Sequence, residues 1–338
     1  MVVVGVDVHK RSHTFVAVDA VGRKLGELTV EADRCGHDKA IRWAVTRFGS
    51  DLTWGVEDCR TMSMNLEKDL LRAGHKVVRV QARLAAGQRR TARSHGKSDP
   101  IDALAVARVV LAEPGLPVAS HDEASRTLKL LVDRRDQLVR SRTAAINQLR
   151  WHVHLIDPSC DPTRSSLTHA KGQRQLVEFI AAHTGIDARM ASDLLADIIR
   201  LTSQINTLDG EITPLVQTQA PQLLTLPGCG ALTAAKIIGE TAGVARFRSE
   251  HCFAMHAGAA PIPLWSGRTA GRHRLSKYSN RQLNAALHRI AITQARLEGP
   301  GKTYIAKRLT NNNTKPEAIR CLKRRLCRTV YNLLRATS

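Results

Sequence analysis

Residues 2–8 read VVVGVDV, an almost unbroken apolar run with one acid. A half-exposed strand would alternate, so this run fits a central strand covered on both faces. A chain that opens this way must supply neighbours at both edges of the strand and layers over both faces. HTFVAVDA alternates, GRK turns and LGELTVEA alternates again, so residues 2–31 predict three meandering strands. Residues 37–48 predict a helix and LTWGVED a fourth strand. MSMNLEKDLLRAG predicts a helix stopped at Gly74, and HKVVRV a fifth strand. A helix after Asp99 closes the unit. Strands in a meander followed by alternating helix and strand predict a mixed sheet with helices packed on it.

The rest of the chain has a different texture. Residues 121–215 predict helices. Leu194, Ile198, Leu201, Ile205, Leu208, Ile212 and Leu215 recur at four and three, a heptad seam. It fits a coiled coil that associates chains, or a long helix packed inside a bundle. An earlier helix carries Arg134, Arg135, Arg140, Arg142 and Arg150. From about residue 216 the chain turns through LPGCGALTAAKIIGE, runs through a basic, loop-rich stretch and returns to helix. The reading is three regions: 1–120 (α/β), 121–215 (helical or coiled coil) and 216–338 (mainly helical).

The 338 residues carry a formal charge of +21. That excess asks for a polyanionic partner, most simply nucleic acid, with an anionic membrane surface as the rival. Only 4% of residues are aromatic, which argues against binding built mainly on base stacking. The seven cysteines include no C-x-x-C pair, so no zinc ribbon or disulfide framework is indicated. The N-terminus lacks the pattern of a signal peptide, and no apolar stretch is long enough to span a membrane. A soluble cytoplasmic protein, with no membrane partner, is the expectation.

Four acids stand out. Asp7 ends the first strand and Glu57 the fourth, with Asp58 as an alternative neighbour. Asp99 and Asp102 open the helix SDPIDALAVARVV. Asp99 there can cap the helix, with Pro100 at its first position. It can also join the strand-end acids at one rim of the sheet, with Asp102 on the same helix face. Four carboxylates that close repel one another unless cations lie among them. Their oxygens suit Mg²⁺ or Mn²⁺, the ions of two-metal phosphodiester chemistry.

GVDVHK, GVED and KSDPIDA resemble the motifs of the RuvC-like, DEDD-type transposases of the IS-one-ten family of insertion sequences. The resemblance runs over essentially the whole chain. It implies a ribonuclease H/RuvC-like domain, a helical middle and a C-terminal transposase domain. It also implies that Asp7, Glu57, Asp99 and Asp102 are the metal-binding acids. GAAPIPLWSGRTAGRHRLSKYSNRQLNAAL resembles the family's second signature, in which the serine of Ser-Gly is the nucleophile. That maps to Ser266, although Ser-Gly read alone is a common turn. Ala259, Ala260 and Ser279 depart from the family's usual residues.

The resemblance implies a recombinase that moves its own element through a serine–DNA bond. A noncoding bridge RNA would pair with donor and target DNA, and the protein would act as a homo-oligomer, dimer or tetramer. The basic side chains expected to meet nucleic acid are Arg89, Arg90, Arg93, Arg134, Arg142, Arg268, Arg272, Arg274 and Lys277. Arg79, Arg83 and Lys97 belong to the same basic run as the first three. A metal-dependent, structure-selective nuclease and a non-catalytic nucleic-acid-binding scaffold are the competing functions.

Overall fold

A computed structural model describes residues 1–57, 62–90, 98–116, 118–119, 122–264, 272–274 and 279–336, with backbone only at 264, 272 and 274. The chain forms two compact units. One comprises Met1–His121 with Ala245–Arg248, the other Asp122–Val244 with Ser249–Ser338.

The first unit is built on β1 (Val2–Val8), β2 (Ser12–Val18), β3 (Lys24–Glu31), β4 (Leu52–Glu57) and β5 (Lys76–Val80). They form one sheet in the order β3-β2-β1-β4-β5. β1 and β3 run antiparallel to β2, whereas β1, β4 and β5 are parallel. This is the arrangement of a ribonuclease H-like sheet, and β1 lies at its centre as its composition demands. Val4, Val6 and Val8 point to one face. There they pack with Phe15, Trp54 and side chains of α1 (Arg34–Phe48) and α2 (Met64–Arg72). Val3 points to the other face and packs with Val16, Val18 and two alanines, Ala103 and Ala107, of α4 (Asp99–Ala112). Between β5 and α4 lies α3 (Ala82–Arg90), where the sequence showed only a basic run. Its Ala85 packs with Val80, Val106 and Val109.

The second unit is helical. α5 (Glu123–Ile156) and α7 (Ile186–Gln219), each of 34 residues, run antiparallel, with α6 (Ala170–Ala181) between them in sequence. Arg135 pairs with Asp209, Arg142 bonds Thr202 and His152 bonds Asp187, so positions rise along one helix as they fall along the other. Ile198 joins a core with Ile146 and Leu149 of α5, while Leu201 and Ile205 cluster with Leu138. The heptad seam therefore packs on a helix of its own chain. The bundle alternative accounts for it, and association of chains through these side chains does not. Then come α8 (Pro221–Leu224), α9 (Ala231–Thr241), α10 (Glu250–His256) and the short pair β6 (Ile262–Leu264) and β7 (Arg272–Arg274). α11 (Arg281–Arg296), α12 (Pro300–Thr310) and α13 (Lys315–Arg335) complete the unit. No helix among the described residues is long and apolar enough to cross a membrane.

Candidate metal centre

The parallel register of β1 and β4 sets Gly5 beside Gly55 and Val6 beside Val56. Asp7 and Glu57 are the next residues, so they stand side by side at one end of the sheet, Asp7 still paired with Thr14 of β2 and Glu57 with Val80 of β5. The two glycines lie two residues earlier, on the same face. They explain how the remaining acids arrive. A Cβ on Gly5 would stand 2.1 Å from the Ala103 carbonyl oxygen and 2.4 Å from the Ala107 nitrogen. One on Gly55 would stand 2.6 Å from a Val110 methyl. The backbone of α4 thus rests directly on a groove floored by glycine. Its first turn, carrying Asp99 and Asp102, comes down beside the strand ends.

Asp7 and Asp102 are buried, Glu57 is half-buried and Asp99 is exposed. Burial raises the Asp7 carboxyl above its ordinary value; His9 opposes this, while Asp102 and Asp99 add to it. Burial also raises Glu57, with Asp7 and Asp102 adding to the rise and Arg89 opposing it. Asp7 therefore lies within electrostatic reach of Asp99 and Asp102, and Glu57 within reach of Asp7 and Asp102. Arg89 Nη1 of α3 is 2.7 Å from Asp102 Oδ1, a close ion pair without hydrogen-bond alignment, and that buried oxygen has no hydrogen-bond donor. Carboxylates crowded together, countered among the described residues by Arg89 and His9, fit a hard divalent cation. The residues present thus suit Mg²⁺ or Mn²⁺.

His9 is a member that the sequence reading missed. Its Nε2 lies 3.0 Å from Asp7 Oδ2 and 3.3 Å from Asp99 Oδ1, and the three side chains could share an ion. It lies just past the end of β1, where strand alternation no longer applies, and only the approach of Asp99 from α4 marks it. The capping expectation for Asp99 needs correction by one position. The N-cap is Ser98, Asp99 is the first helical residue, and Pro100 follows it. Among the described residues the Asp99 carboxylate caps no helix amide and lies 3.3 Å from His9 Nε2.

The family model described as the DEDD transposase of IS110 matches residues 4–158. A second, described as the transposase of the IS116/IS110/IS902 family, matches residues 220–306. The chain belongs to this transposase family. The insertion element IS116 44.8 kDa protein of Streptomyces clavuligerus is 26% identical over 98% of this chain and 94% of its own length. The insertion element IS900 42 kDa protein of Mycobacterium paratuberculosis is 25% identical over 98% of this chain and 95% of its own. A solved Thermus thermophilus RuvC aligns with 34% of this chain and 98% of its own, at 15% identity and a TM-score of 0.28, a likeness too slight to carry weight.

In this transposase the basic residues divide by their partners. Arg79 is bound to Glu67 through Nε at 3.0 Å and Nη2 at 2.8 Å, so its charge is neutralised inside the first unit. Arg89 faces the acid cluster, where it counters carboxylate charge. Arg142 is half-buried between α5 and α7 and donates to Thr202 Oγ1 at 3.2 Å, which turns it inward from an open binding face. Arg90 and Arg134 are exposed and, among the described residues, keep only local bonds, to Ala86 O and Gln137 Oε1. Ser266, Asp58, Arg93, Lys97, Arg268 and Lys277 lie outside the described residues, as do the side chains of Arg272 and Arg274.

The elements on either side of the Ser266 segment are tied together. Asn280 caps α11 by accepting from the Gln282 and Leu283 amides, and its Nδ2 donates to Glu240 Oε2 at 2.5 Å. Glu240 Oε1 accepts from Lys129 of α5 at 2.6 Å. Asn284 donates to the Ala257 and Gly258 carbonyls and accepts from the buried Lys323.

Proposed function

We propose that this insertion-sequence transposase cuts and rejoins DNA through a covalent bond between Ser266 and a strand end, at divalent ions held by Asp7, Glu57, Asp99 and Asp102. The gathering of these four acids at one rim, in a chain of +21, is the observation that carries the reading. Mg²⁺ or Mn²⁺, when bound, supplies Lewis-acid stabilisation of charge on the phosphate oxygens. Asp7 and Glu57 hold their oxygens at fixed strand ends, and α4 supplies the other two carboxylates against them. The Ser266 oxygen forms a bond to phosphorus while one sugar-oxygen bond to phosphorus breaks. The serine proton is lost, and the leaving sugar oxygen gains one. Attack by the hydroxyl of another strand end reverses the sequence and frees the serine.

The serine assignment is supported by the Ser-Gly signature and by a family model that spans it. By family resemblance, a bridge RNA selects donor and target DNA. The same resemblance supports a homo-oligomer, dimer or tetramer, in which one subunit's acids can serve another's serine. The bacterial cytoplasm is the place of action.

The test is to trap the intermediate. Purified protein is incubated with donor and target DNA, RNA and Mg²⁺, then denatured and resolved by size. A DNA-linked band that is absent in Ser266→Ala and in Asp102→Ala is expected. Cleavage products without any linked band would replace this mechanism with metal-activated hydrolysis. Full activity in Asp7→Ala and Asp102→Ala would remove the metal centre from the chemistry.

A further inference from the structure

The C-terminal helices carry a second constellation, separate from the acids and from the Ser266 segment. From 299 to 338 there are ten lysines and arginines and one acid, Glu317. Between α12 and α13 lies a cavity of about 240 Å³ with an apolar floor that includes Leu226, Pro227, Leu297, Leu322 and Leu326. It adjoins a wider hollow rimmed by Arg324, Arg325 and Arg328. Tyr304 and Arg325 line both. The Arg325 guanidinium lies 5.3 Å from the centre of the Tyr304 ring. Among the described residues no acid pairs with Arg325. Arg324 and Arg328 share one carboxylate, Glu250, at 3.0 and 3.4 Å. Glu298 also lines the slot and pairs with Lys302. With these acids counted, the three arginines still leave excess positive charge beside a half-exposed aromatic ring and an apolar slot.

We propose that this cleft binds one unpaired nucleotide of a DNA strand, its base in the slot against Tyr304 and its phosphate on Arg325 and Arg328. The chemistry fits part by part. A base offers a flat face to an aromatic ring and apolar walls. Phosphate suits the guanidinium fork. A paired base, stacked inside a duplex, presents no face to such a slot. The choice of DNA rests on the transposase reading. The slot itself rests on geometry, and binding can be measured without strand transfer.

The experiment uses full-length protein and one oligonucleotide sequence in three forms: single-stranded DNA carrying 5-iodouracil, its duplex, and the matching RNA. Irradiation is expected to link the single strand to the peptide bearing Tyr304. In anisotropy titrations Tyr304→Ala is expected to weaken single-strand binding roughly tenfold, and Tyr304→Phe to leave it within twofold. Arg325→Gln is expected to lower the salt slope for the single strand by about 0.7. Thermal melts of each variant check that the unit is folded. Linkage only at other peptides, equal loss for single strand and duplex in Tyr304→Ala, or binding of RNA alone would each overturn the proposal. The Ser266→Ala protein serves as a control: binding retained there without any DNA-linked band separates this site from the recombination chemistry.

Discussion

Replacing Gly5 by alanine tests how the sheet seats the helix that bears half of the metal ligands. The added methyl would lie 2.1 Å from the Ala103 oxygen and 2.4 Å from the Ala107 nitrogen, both backbone atoms. Neither can turn aside as a side chain could, so α4 must lift by about 1 Å or more. Forced overpacking of this kind costs about 1–3 kcal/mol, and a backbone obstacle places Gly5→Ala at the upper end. For a unit of this size, about 3 kcal/mol lowers the melting transition by roughly 10 °C. The same lift carries Asp99 and Asp102 away from Asp7 and Glu57. Ligand distances tolerate only about 0.2 Å, so Mn²⁺ affinity is expected to fall at least tenfold, on the order of 1.4 kcal/mol. Melting is followed by scanning fluorimetry, and free Mn²⁺ by its paramagnetic resonance. Gly87→Ala is the matched control. It lies in α3 with no atom within 4 Å of an added Cβ, and it is expected to stabilise the helix by up to about 1 kcal/mol. A Gly5→Ala protein that melts within 2 °C of the parent and binds Mn²⁺ equally well would refute the argument.

Three further tests probe charge. Asp7 and Glu57 have raised carboxyls, so their contribution to the stability of the metal-free protein is full below the ordinary carboxylate range and is lost as pH rises through the raised values. Mg²⁺ is therefore expected to raise the melting temperature more at pH 7.5 than at pH 5; an equal rise at both would count against ionised carboxylates as the ligands. In Arg89→Gln the loss of a charge that lowers Glu57 is expected to shift the midpoint of Mn²⁺ binding to higher pH, read from titrations across pH. Arg79→Ala leaves the buried Glu67 unpaired and is expected to cost about 3–5 kcal/mol in urea unfolding. Its DNA-binding salt slope stays unchanged, and a fall by one phosphate's worth would show that Arg79 meets DNA after all.

The sheet was legible because its signals are local. Val2–Val8 reads as a doubly covered strand, and the alternation in β3 marks faces that differ in exposure, whereas β2 alternates in sequence yet is buried on both faces. Asp7 and Glu57 followed from those strands, since Glu57 is the last residue of β4 and Asp7 the last but one of β1. What the sequence concealed depends on partners distant along the chain. Arg79 and Arg89 look like members of a basic run until Glu67 and Asp102 arrive from other elements. Ala82–Arg90 carries so many arginines that its single buried residue, Ala85, gives no periodicity to read. The spacing from Leu194 to Leu215 specifies an apolar stripe but not its cover, and α5 supplies that cover from the same chain. His9 was in plain view beside Asp7, yet a lone histidine says nothing until Asp99 lies on its far side.

The long hairpin of α5 and α7 also restricts how such a protein can change length. Inserting one residue into either shaft would rotate everything beyond it by about 100° and swing the apolar stripe off its mate. Of the stretch between the shafts, α6 packs into the same core, and only the loops on either side of it at the far tip, 157–165 and 182–185, carry no such phase requirement. Gains and losses of residues among relatives of differing mass should collect at that far tip, leaving both shafts in step.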